Sequence, residues 1–101
     1  MSQPLTLENF LLSLQDDAPL ISWSQPLQAL WWDANGFWDK AHDLVDGFKH
    51  PASDVVHAYL HRKEGDEWNA TYWYHRAQKP FFEGSLEEEW QYLVRLLLAA
   101  T

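Results

Sequence analysis

The stretch His57-Ala58-Tyr59-Leu60-His61-Arg62-Lys63-Glu64-Gly65-Asp66-Glu67-Trp68-Asn69-Ala70-Thr71-Tyr72-Trp73-Tyr74-His75-Arg76-Ala77 decides the fold. It reads as two helices folded back on each other at Gly65-Asp66. Glycine there supplies the left-handed residue that stops a helix, and an aspartate directly after it caps the next one. The stretch also holds three of the chain's five histidines, two of its seven tryptophans and three of its four tyrosines. Its fold and its candidate chemistry therefore have to be read together.

Working outward, helical signals continue in both directions. Ser53 or Asp54 is expected to cap the helix that carries Val55, Val56, Tyr59 and Leu60, and Lys79-Pro80 to break the one that carries Trp68, Tyr72 and Trp73. Upstream, Ser24 or Gln25 opens a helix with Pro26 at its start, and Gly36 stops it. Phe37, Trp38, Ala41, Leu44, Val45 and Phe48 then fall at helical spacing, up to His50-Pro51. Thr6 caps a short first helix, about Leu7 to Leu14, with Leu5 and Phe10 as a hydrophobic staple. Trp23, in the connector after it, is expected to pack onto the body. Ser85 with Glu88 forms a capping box, and Leu86, Trp90, Leu93, Val94, Leu97 and Leu98 share one face of an amphipathic C-terminal helix over 85–100. The run Glu87-Glu88-Glu89 lies in its first turn, where negative charge complements the helix dipole. No strand pattern occurs. The expectation is an all-α fold of about six helices in one domain, 1–101.

The composition suits a folded chain, since 47% of the residues are apolar and 22% charged. A domain of this size has a small core, so its large aromatic side chains carry much of what burial contributes. The formal net charge of −8 opposes phosphate backbones and anionic lipid surfaces, which argues against nucleic acid or membrane as partner. The chain has no cysteine, which excludes disulfides, thiolate nucleophiles and thiolate metal sites. Met1-Ser2-Gln3-Pro4 lacks the features of a signal peptide, and the apolar run Leu96–Ala100 is too short to span a bilayer. A soluble, cytoplasmic protein is expected.

The two central hairpins superpose in sequence. Ala29, Trp32, Gly36, Ala41, Val45 and Phe48 align with Ala58, His61, Gly65, Ala70, Tyr74 and Ala77 at one constant offset. A small residue lets two helices approach, a glycine turns the chain, and a second small residue opposes the first. This pattern, over about 25–79, resembles tetratricopeptide and Sel-like repeats, and the resemblance implies two degenerate, stacked units covered by the flanking N- and C-terminal helices. A second resemblance covers about half of the chain. His61-Arg62-Lys63-Glu64-Gly65-Asp66, Asn69-Ala70, Tyr72-Trp73-Tyr74 and Arg76, with Asp39-Lys40-Ala41-His42 upstream, look like a motif shared by a family of uncharacterised bacterial and fungal proteins. It implies a helical fold and carries no activity.

His57 and His61 lie four apart on one helix, a spacing at which two imidazoles can share a metal, with Glu64 or His42 as third ligand. The helix lacks the general-base glutamate of metalloproteases. Without a dense ligand set the pair reads first as packing histidines, so no metal and no cofactor is assigned. Asp33, Asp39, Asp43 and Asp46 read as a solvated helix face. Of the adjacent pairs Trp31-Trp32 and Phe81-Phe82, one member each is expected to be lateral or exposed, which suits self-association or a partner groove.

The favoured expectation is a small non-enzymatic module for a protein or peptide partner. Its candidate surface comprises His57, His61, Arg62, Asn69, Tyr72, Trp73 and Arg76, with the arginines gripping a carboxylate and Trp73 as an apolar platform. The alternative is a small-ligand binder or enzyme in which His42, His61, Arg62 and Tyr72 line one groove.

Overall fold

The helix over Pro51–Lys63 is the hub of the molecule. Every residue from Ser53 to His61 is buried, so this helix is enclosed on all sides although four of those residues are polar. The computed structural model describes residues 5–47 and 49–100. Its elements are α1 (Leu7–Ser13), α2 (Gln25–Ala34), α3 (Trp38–Val45), α4 (Pro51–Lys63), α5 (Glu67–Ala77) and α6 (Leu86–Ala99). The fold is all-α with six helices, as the periodicity predicts, and no strand occurs among the described residues. No helix is long and apolar enough to cross a membrane among those residues.

Helix α4 packs against α2, α3, α5 and α6, while α6 also covers α2 and α1. The backbone of α5 comes close to α4 alone, while its Tyr74 side chain reaches Glu89 on α6. The core consists of Phe10, Leu27, Leu30, Trp31, Val56, Leu60, Leu93 and Val94 among others, all essentially shielded from water. Three indole N–H groups fasten separate elements. Trp31 Nε1 donates to the Ser13 carbonyl at 3.1 Å, Trp38 Nε1 to the Leu60 carbonyl at 2.8 Å, and Trp90 Nε1 to the Leu30 carbonyl at 3.0 Å. A buried indole brings both large apolar area and a donor that needs a partner, and here each partner lies on another helix. Trp23 packs on the core as expected, its ring 5.2 Å from Phe10.

The two helix ends at Gly36 and Gly65 close with the same backbone hydrogen bonds. Gly36 N–H bonds Asp33 C=O and Phe37 N–H bonds Trp32 C=O, closing α2. Gly65 N–H bonds Arg62 C=O and Asp66 N–H bonds His61 C=O, closing α4 at the matched positions. Both glycines are left-handed, with φ of +85° and +89°. This is a glycine-terminated helix end whose last carbonyls are taken up by the turn. Ala29, Ala41, Ala58 and Ala70 are fully buried where the paired helices approach. The expected equivalence of Phe48 with Ala77 falls on a residue outside the described ones.

Several boundaries differ from the sequence reading. The N-cap of α4 is His50, not Ser53 or Asp54, and its Nδ1 accepts from Ala52 N–H at 3.1 Å with Pro51 opening the helix. Ser53 and Asp54 lie inside the helix and are buried. Helix α3 ends at Val45, earlier than expected, and Gly47 takes a positive φ beyond it. Helix α5 ends at Ala77 because Gln78 is left-handed, two residues before Pro80. Ser24 caps α2 without a side-chain hydrogen bond. The caps Thr6, Asp66 and the Ser85–Glu88 box form as expected.

Candidate functional site

The seven candidate residues divide into three groups with different surroundings. The first is an inner cluster between α3, α4 and α5. His57 and His61, one turn apart on α4, stack at 4.8 Å between ring centroids, and His42 from α3 stands edge-on to both. His57 Nε2 lies 2.9 Å from His42 Nε2, so one of these nitrogens donates and the other accepts. His61 Nδ1 is 2.6 Å from Glu64 Oε2, which leaves Nε2 as the other nitrogen of that ring.

Two indoles hold these rings in place. Trp73 lies flat on His57 with centroids 3.8 Å apart, and Trp38 lies flat on His42 at 5.0 Å. The Arg76 guanidinium lies over the Trp73 ring, 4.8 Å from its centroid. Its Nε is 3.7 Å from Asp54 Oδ2, whose other oxygen is buried without a hydrogen-bond partner. Burial pushes the His57 imidazole down to about 4, with the neighbouring His42 and His61 adding to the effect and Asp46 opposing it. At neutral pH the His57 ring is therefore uncharged. Its Nδ1 is buried and has no hydrogen-bond partner.

The second group is structural. Arg62 turns away from the histidines toward α6, where its guanidinium donates to Glu89 Oε1 at 2.9 Å and to the Gly84 carbonyl. Glu89 is only 1% exposed and also accepts from the Tyr74 hydroxyl. Burial raises the Glu89 carboxyl above its ordinary value, against the opposing hydrogen bonds from Tyr74 and Arg62. Burial and the bonded carboxylate likewise raise the Tyr74 phenol. Asn69 belongs to the α5 cap, its backbone N–H and side-chain amide both donating to Asp66, which holds that carboxylate below its usual value.

The third group is a surface. Tyr72 is 48% exposed and meets Trp73 edge-on, while Trp68, one turn earlier on α5, is 78% exposed. With Glu67, Thr71 and His75 they line an open depression of about 540 Å³ on the outer side of α5. The His42/His61/Arg62/Tyr72 groove does not assemble as one site, because Arg62 and Tyr72 point away from the two histidines.

Sequence reasoning missed two buried carboxylates. Glu89 was grouped with Glu87 and Glu88 as a dipole-favouring run, yet it falls three residues after Leu86 and four before Leu93, on the apolar face of α6. Asp33, read as solvated, is 2% exposed; it accepts from Tyr59 Oη at 2.7 Å and pairs with Lys63 Nζ at 2.9 Å. Its position four after Ala29 on the buried face of α2 was the available signal. Asp39, Asp43 and Asp46 are exposed, as expected. A separate cavity of about 460 Å³ opens beside Glu89, walled by Tyr74, Phe81, Phe82 and Tyr92. Comparison with protein-family models, curated proteins and solved structures finds no match for this chain.

Proposed function

We propose that the chain is a small cytoplasmic interaction module that meets a protein or peptide partner through the outer face of α5. The observation that carries this reading is the exposure of Trp68, at 78%, on a helix whose close backbone packing is with α4. A large indole and the neighbouring Tyr72 ring left in water on one helix face are the residue types that anchor interfaces. The surrounding depression, rimmed by Glu67 and His75, offers an apolar seat with polar edges. Arg62 and Asn69, expected on this surface, are engaged in the Glu89 pair and the α5 cap. Trp73 is half-buried against His57, and the exposed Arg76 lies over its ring. A partner that is another copy of this chain fits the same reading.

The test places a photo-crosslinking amino acid at position 68 in the cell, with the same group at exposed Glu8 on α1 as reference. A discrete crosslinked species from position 68, absent from position 8 and lost with Tyr72→Ala, is expected. Equal or absent crosslinking at the two positions contradicts the proposal. Light scattering across a concentration series separates self-association from a different partner.

A further inference from the structure

We propose that His42, His57 and His61 form a binding site for one divalent transition metal of the zinc class, with Glu64 as the carboxylate that holds His61 in place. This inference is independent of the α5 contact face.

Geometry comes first. One ring nitrogen from each of the three histidines lies within 4.8 Å of the other two. Nitrogens bound at about 2.0–2.1 Å in a tetrahedral site stand roughly 3.4 Å apart. The His42–His57 separation of 2.9 Å is slightly shorter than that, so a small rotation of the half-buried His42 opens the pair to ligand spacing. His57 and His61 come from one helix at a one-turn interval, and His42 comes from the preceding hairpin, so a metal here would tie α3 to α4.

Three neutral imidazoles carry three N–H groups and three lone pairs. One contact joins His42 to His57, another engages His61 Nδ1 with Glu64, and His57 Nδ1 is left buried without a partner. A metal held through the Nε2 atoms would replace the single His42–His57 contact with two ligand bonds, while His57 Nδ1 stays without a partner in either state. The Glu64 bond supplies what a metal-binding histidine ordinarily has, a carboxylate on its other nitrogen that fixes tautomer and ring angle. The flat packing of Trp73 on His57 and of Trp38 on His42 restrains the planes of the other two rings, within which His42 can still turn.

Ligand chemistry narrows the ion. An all-imidazole set with no thiolate suits zinc, cobalt, nickel or copper rather than magnesium or calcium, which take oxygen ligands. Three protein ligands leave a fourth position for water or an added anion. A second arrangement, His61 with Glu64 and Asp66, also brings three ligand atoms within 4.8 Å. It is disfavoured because both Asp66 oxygens are occupied by Asn69.

The experiment uses the full chain without an affinity tag, stripped with chelator and titrated with Zn²⁺ by calorimetry, and with Co²⁺ by visible absorption. Binding of one equivalent is expected, with a melting-temperature rise of roughly 10 °C at metal a hundredfold above Kd. Glu64→Gln is expected to weaken binding roughly 10–100-fold. His42→Ala, at a half-buried position whose replacement spares the core, is expected to weaken it further, while His75→Ala on the outer face of α5 leaves it unchanged. Circular dichroism confirms that each variant is folded. The absence of heat, Co²⁺ bands and thermal shift in the wild type overturns the proposal. So does binding that survives His42→Ala, or that is lost with Asp66→Asn but not with His42→Ala.

Discussion

Arg62 on α4 and Glu89 on α6 form a 2.9 Å ion pair in which the carboxylate is almost wholly buried and the arginine is nearly so. The pair joins α4 to α6. Removing one partner of a buried pair leaves an uncompensated charge, a larger loss than the pair itself contributes. Arg62→Ala is expected to lower stability by about 3 kcal/mol in urea denaturation, and Arg62→Met with Glu89→Gln to recover most of that. A loss no greater than that of an exposed ion pair would show that the carboxylate is not buried as described.

The same pair carries a pH signature. The folded-state value of Glu89 is raised, so its contribution is fully present below the ordinary carboxylate value and fades as pH rises. Arg62 opposes that rise in the wild type. The Arg62→Ala penalty is therefore expected to shrink on moving from pH 7 toward pH 4. A penalty that does not change with pH would count against this assignment.

His57 predicts the opposite sign. Its folded value is lowered from 6.5 to about 4, so the stability it contributes is present above pH 6.5 and is lost as pH falls toward 4. The loss in metal-free protein is expected to reach up to about 3 kcal/mol. Asp66 and Glu88, both held low by cap hydrogen bonds, add further loss at lower pH. His57→Gln should flatten the upper part of the profile; an unchanged slope between pH 6.5 and 4 would refute the role given to this ring.

Matched turns predict matched costs. Nothing lies within 4 Å of a Cβ built at Gly36 or Gly65, so only the positive φ opposes a side chain there. Gly36→Ala and Gly65→Ala are each expected to cost roughly 1–2 kcal/mol, and the asparagine variants less. Strongly unequal losses at the two sites would contradict the structural equivalence of the hairpins.

The parts of the fold legible in the sequence are those written in local chemistry. Gly65-Asp66, Gly36, Thr6 and the Ser85–Glu88 box each act within a few residues, and the structure shows all of them. The His50 cap was missed because Ser53 and Asp54 are better caps by residue type, whereas Pro51 sets the true start. Glu89 and Asp33 were missed because their partners, Arg62 and Lys63, lie 27 and 30 positions away in sequence. Local charge patterns say nothing about such pairings, although helix register did place both carboxylates on buried faces. The helical spacing of His57 and His61 was legible. That His42, rather than Glu64, completes the cluster needed the crossing of α3 with α4. The exposure of Trp68 and Tyr72 follows from α5 packing one face on α4 and leaving the other uncovered, which no local signal encodes.

The three-histidine cluster is the central chemical claim, and X-ray absorption at the zinc edge tests it most directly on protein loaded with one equivalent of Zn²⁺. The expected spectrum shows nitrogen scatterers at about 2.0–2.1 Å with the outer-ring pattern of three imidazoles, falling to two in His42→Ala. A spectrum fitted by oxygen ligands with one imidazole or none would contradict it.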